Sequence, residues 1–270
     1  MRLQTMRDAI TDTMARMARR LVPLCLFILV SFTASAQVGE YRTDLAIGFS
    51  GGYVSSNVGF VPEVPQSRLG GMTAGLTVRY TCEKYFKSIC SLQAEVNITQ
   101  TGWKEDIRDL DGNKVFYKSD PTKSDALRYE RRMTYLQIPL LARMGWGRER
   151  KGLQGYIVLG PQIGTYLGES VKSNLVKDAE TQTQRSSKVV AQDSLPVQRK
   201  FDYGIVVGAG MEVSMPKLGH FMVEGRYYYG LGDFFNNTKS DFFGRSNFGQ
   251  IVIKASWLFD IIRTKNDKIK

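Results

Sequence analysis

The chain contains stretches in which apolar and polar side chains alternate strictly. Leu92, Ala94, Val96 and Ile98 interleave with Gln93, Glu95, Asn97 and Thr99, and a period of two is that of a β-strand with one apolar face. Eight segments share the pattern, near 41–53, 71–81, 91–102, 132–145, 153–167, 201–213, 220–230 and 247–259. One parity carries Phe49, Leu76, Leu140, Leu159, Val207, Val223 and Ile253, and no charge. The other carries Arg79, Glu95, Gln137, Arg143, Gln162, Glu212, Glu224, Arg226 and Lys254, with Gly75, Gly160, Gly164, Gly204, Gly208 and Gly210 between them.

A water-soluble barrel would bury the apolar face, so long charged side chains on the opposite face imply the inverse arrangement, with lipid outside and polar groups within. The segments have the length a tilted strand needs to cross a bilayer, and their number is even. The connections alternate. Short ones fall around Cys82 to Cys90, Trp146 to Gly152 and Ser214 to Gly219; long polar ones fall around Val54 to Gly70, Trp103 to Arg131, Gly168 to Lys200 and Leu231 to Ser246. The prediction is an all-β fold, an eight-stranded antiparallel up-and-down transmembrane β-barrel of the outer-membrane type, with short periplasmic turns and long extracellular loops. Aromatic girdles are expected at both rims, from Tyr41, Tyr80, Trp146, Phe221, Trp257 and Phe259 on one side and Tyr53, Trp103, Tyr166, Tyr203, Tyr227, Tyr229 and Phe248 on the other.

Eight strands leave a bore that side chains fill. Arg79, Glu95, Arg143, Glu212, Glu224, Arg226 and Lys254 are therefore expected to pair in an interior charge network, a packed polar core with no open channel. Pro139 and Pro161 would each remove a ladder hydrogen bond. They fall in neighbouring strands, and a shared bulge that bends the wall is the expectation.

The first residues predict an address. Arg2, Arg7, Arg16, Arg19 and Arg20 precede the apolar run Leu21 to Phe32, and Ala34-Ser35-Ala36 supplies small residues for cleavage. Residues 1–36 are expected to be a cleaved signal peptide and 37–270 the barrel domain, in the outer membrane of a Gram-negative bacterium. The lipid bilayer and the outer-membrane assembly machinery are the expected partners, with other cell-envelope proteins after them. The 37 Lys and Arg exceed the 26 Asp and Glu, but the excess is spread over loops and alternate strand positions and forms no block, so a nucleic-acid partner is not expected.

Catalytic and cofactor signatures are weak, and no enzyme, cofactor or metal is expected. His220 is the single histidine and reads as a solvated turn residue. Asp109-Leu110-Asp111-Gly112-Asn113 resembles a calcium loop, yet Ile107 and Lys118 stand where that loop needs acidic ligands, and Asp111-Gly112 fits a hairpin turn. Cys82 and Cys90 flank a short turn, and a possible disulfide between them would contribute roughly 2 to 3 kcal/mol by loop closure.

Tyr135-Leu136-Gln137-Ile138-Pro139-Leu140-Leu141, then Gly160-Pro161-Gln162-Ile163-Gly164, the Gly204 to Gly210 segment and Glu224-Gly225-Arg226-Tyr227-Tyr228 resemble the PorT-like family of outer-membrane β-barrels. The resemblance covers essentially the whole chain after residue 36 and implies the barrel, with no catalytic residue. Two roles follow as expectations. The first is a structural or surface-interaction barrel acting through long extracellular loops; the second, resting on the resemblance, is an accessory of type IX-like protein secretion or outer-membrane assembly. A small pore or ligand-binding barrel comes after both.

Overall fold

A computed structural model describes residues 40–85, 87–116, 126–148, 151–175, 185–216 and 218–264. The expected signal peptide and Lys118 lie outside them. Eight long strands run through the described chain: β1 (Glu40–Val61), β3 (Leu69–Tyr85), β4 (Ser88–Glu105), β5 (Tyr129–Gly147), β6 (Gly152–Ser173), β7 (Phe201–Met215), β8 (Gly219–Gly230) and β9 (Arg245–Ile262). Each pairs antiparallel with the next, and β1 pairs with β9, so the sheet closes. A two-residue strand, β2 (Gln66–Ser67), adds to the far end of β4.

All eight predicted segments lie within these strands, which run past the predicted ends except at Phe201 and Gly230. The alternation explains the closure: Met72, Leu76, Leu92, Leu159, Val207 and Ile253 are exposed on the outer wall, while Arg79, Glu95, Gln137, Arg143, Gln162, Glu212, Glu224, Arg226 and Lys254 are buried inside. The short connections from β3 to β4, β5 to β6 and β7 to β8 lie at one end of the barrel, together with the start of β1 and the end of β9. Gly147, Gly152 and Gly219 all take positive φ there, and a Cβ at Gly219 would lie 2.1 Å from the Leu258 carbonyl oxygen.

The prolines do not share a bulge. Pairing of β4 with β5 runs from Ala94↔Leu140 to Asn97↔Gln137 without a register change, and β5 with β6 runs from Pro139↔Gln162 to Ala142↔Leu159 likewise. A bulge needs an inserted residue. Here each proline withholds an N–H and leaves an in-register gap, Ile138-Pro139 against β4 and Gly160-Pro161 against β5. An apolar groove of about 490 Å³ dents the outer wall at that place, lined by residues that include Leu92, Leu140, Leu159 and Pro161.

The possible disulfide is not formed. Cys82 and Cys90 are free thiols in this structure. The register shift between Thr81 and Glu83 sets Glu83, not Cys82, opposite Cys90, and the Cys82 thiol lies 3.7 Å from the Tyr80 carbonyl oxygen.

Candidate functional site

The bore holds two ionic clusters stacked along its axis. Glu212 on β7 lies between Arg79 of β3, at 2.5 Å, and Arg143 of β5. Farther from the short turns, Glu95 of β4 receives both guanidinium nitrogens of Arg226 on β8, at 2.6 and 2.9 Å, and the Lys254 ammonium of β9 at 2.5 Å. Gln93 and Asn97 donate to the same carboxylate at 2.7 and 2.8 Å. Arg226 also reaches Glu224 at 2.6 Å, and the Tyr156 hydroxyl donates to Glu224 at 3.1 Å. The Arg143 guanidinium sits 3.8 Å from the Tyr156 ring centroid and joins the clusters.

The seven charges named from the sequence thus meet in one interior. Buried ions need partners of opposite sign, and the two clusters supply them, although the Nε atoms of Arg143 and Arg226 make no hydrogen bond. Glycine makes the room: a Cβ at Gly210 would lie 2.7 Å from the Tyr156 hydroxyl, and one at Gly208 would lie 2.9 Å from Cγ of Arg226.

Sequence reasoning missed two members. His220 is buried, not solvated: its ring lies 2.6 Å from Glu212, 2.9 Å from the Ser214 hydroxyl and 2.9 Å from Asp260. Asp260 lies one residue beyond the predicted end of the last strand and two residues after the buried Leu258. Continuing the inward parity through 254, 256 and 258 would have found it.

The long-loop end is closed differently. Phe60, Trp103, Phe234, Phe235, Phe243 and Phe248 are buried together, with Phe234 4.6 Å from Phe235 and 4.9 Å from Phe248 between ring centroids. Trp103 and Phe248 therefore belong to this cap and not to the outer girdle, where Tyr53, Tyr203, Tyr227 and Tyr229 are exposed. The last long connection is not simply polar, since Phe234, Phe235 and Phe243 turn back over the bore. Arg131, 5.6 Å from the Trp103 ring centroid, pairs with Glu169 at 2.7 Å and donates to the Leu195 carbonyl at 2.6 Å, which ties the 185–200 segment across the mouth.

Above the cap lies a third buried ionic group. Arg185 reaches Asp193 at 3.1 Å and Glu105 at 3.6 Å, and Gln192 donates to Glu105 at 3.3 Å. Burial first, then the charge of Asp193, pushes the Glu105 carboxyl up to about 8; burial also raises Asp193, with Arg185 opposing. Beside this group projects an arm, 106–116. Its tip is a turn in which the Asp109 carboxylate accepts from the backbone N–H of Asp111 and Asn113 at 3.0 and 2.8 Å, and Gly112 takes a φ of 81°. The Asp109 carboxylate thus caps a turn, as the hairpin interpretation expects.

The family model described as outer membrane protein beta-barrel domain matches residues 35–236. The chain belongs to that family. Among curated proteins no sequence matches it. Solved structures that are similar include Ail, the attachment invasion locus protein of Yersinia pestis, at 13% identity and a TM-score of 0.34 over 82% of this chain and 99% of that one. Neisserial surface protein A is 11% identical at a TM-score of 0.38, over 80% and 97% of the two chains. OprG from Pseudomonas aeruginosa is 13% identical at 0.38, over 82% and 98%.

Proposed function

We propose that this outer-membrane barrel is a non-catalytic surface-interaction protein that presents its long-loop end to the cell exterior. One observation carries the proposal: the bore is filled and capped, while the long-loop end is built into a layered surface with side chains left outside. Leu110 at the tip of the arm is 89% exposed, and Phe116 and Phe242 are exposed beside buried neighbours. Exposed apolar groups on an otherwise polar surface favour contact with a partner. A cleaved signal at residues 1–36 would deliver the chain, and membership in the PorT-like group, with a role as a secretion or assembly accessory, is the second reading, supported by the segments that resemble it.

The test is site-specific labelling in a Cys82→Ser/Cys90→Ser background. Leu110→Cys is expected to react with an impermeant maleimide on intact cells, and Lys87→Cys, in a short turn, only after permeabilisation. A photocrosslinker at Leu110 is expected to capture envelope or surface material. The opposite labelling pattern, or a crosslinker that captures nothing, would overturn the proposal.

A further inference from the structure

Between the end of β4, the 106–116 arm, residues 126–128 and the end of β6 lies a cleft of about 460 Å³. Lys104, Lys114 and Arg128 stand in its walls, the buried Ile107 and Leu127 form its apolar floor, and Ser67 of β2 is at its rim. The acids in the lining do not offset these cations. The Asp106 carboxylate accepts from Arg108 at 2.9 Å. Glu105 is buried and faces Arg185 at 3.6 Å and Gln192 at 3.3 Å. Among the described residues, Lys104, Lys114 and Arg128 have no carboxylate within salt-bridge distance. Three like charges around one concavity repel one another, and an anion placed among them relieves that repulsion.

The backbone carrying these cations is held in place. Lys104 pairs with Ser67 in the β2–β4 ladder, and Lys114 is bridged to Arg108 across the arm. The Arg128 N–H donates to the Asn174 side chain at 2.6 Å, the Asn174 amide donates to the Ala126 carbonyl at 3.0 Å, and the Leu127 N–H donates to the Val115 carbonyl at 2.8 Å. Positive charge carried on a fixed backbone beside an apolar floor suits an anionic ligand, and the volume is in the range small ligands occupy.

We propose that this cleft binds an anionic saccharide, a sugar bearing phosphate or carboxylate groups. The cations take the anionic groups, the Ser67 hydroxyl and the Glu105 carboxyl take ring hydroxyls, and Ile107 and Leu127 take the C–H face of a ring. Among the described residues the lining holds no aromatic ring on which a base could stack, which disfavours a nucleotide. The same chemistry is found on a phosphorylated glycolipid of the surrounding membrane and on a free acidic glycan.

The inference rests on the surface-interaction reading and deepens it. The full chain in detergent micelles is titrated calorimetrically with glucosamine 6-phosphate and with glucose. The phosphorylated sugar is expected to bind, glucose to bind about tenfold more weakly or not at all, and added salt to weaken binding. The Lys104→Ala/Lys114→Ala/Arg128→Ala variant is expected to lose about tenfold in affinity while keeping its heat-modifiable gel shift, and Lys87→Ala at the opposite end to bind as the wild type does. In vesicles, protection of Lys104 and Lys114 from amine labelling by an included phosphorylated glycolipid would identify the membrane as the source; protection by added acidic glycan alone would identify a free ligand. Equal binding of glucose, unchanged affinity in the folded triple variant, or displacement of the sugar by an Asp-rich hexapeptide of higher affinity would overturn the assignment. If the sugar fails while crosslinking at Leu110 persists, the cleft assignment alone falls; if both fail, the surface reading falls with it.

Discussion

Arg226 and Glu95 join opposite walls of the barrel: their strands, β8 and β4, are four places apart in a ring of eight, and the side chains meet bidentately at 2.6 and 2.9 Å. Two further contacts cross the bore between opposite strands. Arg79 of β3 meets Glu212 of β7 at 2.5 Å, and Gln137 of β5 meets Gln250 of β9 at 3.4 Å. Side chains that meet across the full width occupy the bore at three heights, as a barrel of this size requires.

The middle crossing can be cut from one side. Glu95→Ala removes the carboxylate that faces both Arg226 and Lys254, leaving Glu224 as the one acid of that cluster. The expected destabilisation is about 3 to 5 kcal/mol, because a buried cation loses its partner. Urea unfolding of the refolded barrel in vesicles measures it. A Glu95→Ala/Lys254→Met double variant should recover part of the loss, and no recovery would show that the loss is not one of charge balance.

Room for the network is set by glycine, so the test at Gly210 is steric. Gly210→Val would drive a branched side chain into the Tyr156 ring, whose hydroxyl is 2.7 Å from the added Cβ. Overpacking at a rigid wall costs about 1 to 3 kcal/mol. Gly225→Ala meets nothing within 4 Å and should be neutral. The folded fraction read from heat-modifiable gel mobility compares the two.

The barrel was legible where a period was present. Leu92 and Glu95 differ in parity, and parity alone sends one to lipid and the other to the bore. Pro139 and Pro161 misled because a missing N–H and an inserted residue both disturb a ladder, and only the register of the paired strands tells which has occurred. His220 stands at a strand end, where a solvated turn and an inward position are two residues apart. The cap was invisible for a different reason. Phe234, Phe235 and Phe243 lie in a connection without periodicity, and their burial depends on Phe60 and Trp103, more than a hundred residues earlier in the chain.

The buried acid pair above the cap makes the long-loop end sensitive to alkali. Glu105 has a folded-state value raised to about 8, above its ordinary value of 4.5. A raised acid holds its proton more tightly in the folded state, so its contribution is complete below the unfolded value and is lost as pH rises through the folded one. Asp193 shifts in the same direction. Protease cleavage within 185–200 should therefore accelerate as pH rises from 4.5 and level off above about 8. Glu105→Gln should flatten that profile, and an unchanged slope in this variant would assign the effect to another group.

The cap and the ionic core close the same bore, and conductance separates their roles. Phe234 packs on Phe60, Trp103, Phe235 and Phe248, so Phe234→Ala should weaken the cap by about 3 to 5 kcal/mol through the cavity it leaves. Three crossings still block the bore beneath it, and planar-bilayer recordings of this variant should remain as silent as the wild type. Replacing Arg226 and Glu95 together by alanine removes the middle crossing but leaves Arg79 on Glu212, so rare, small openings are the expected result. Steady conductance in Phe234→Ala alone would mean that water already threads the ionic core and that the aromatic cap is the seal.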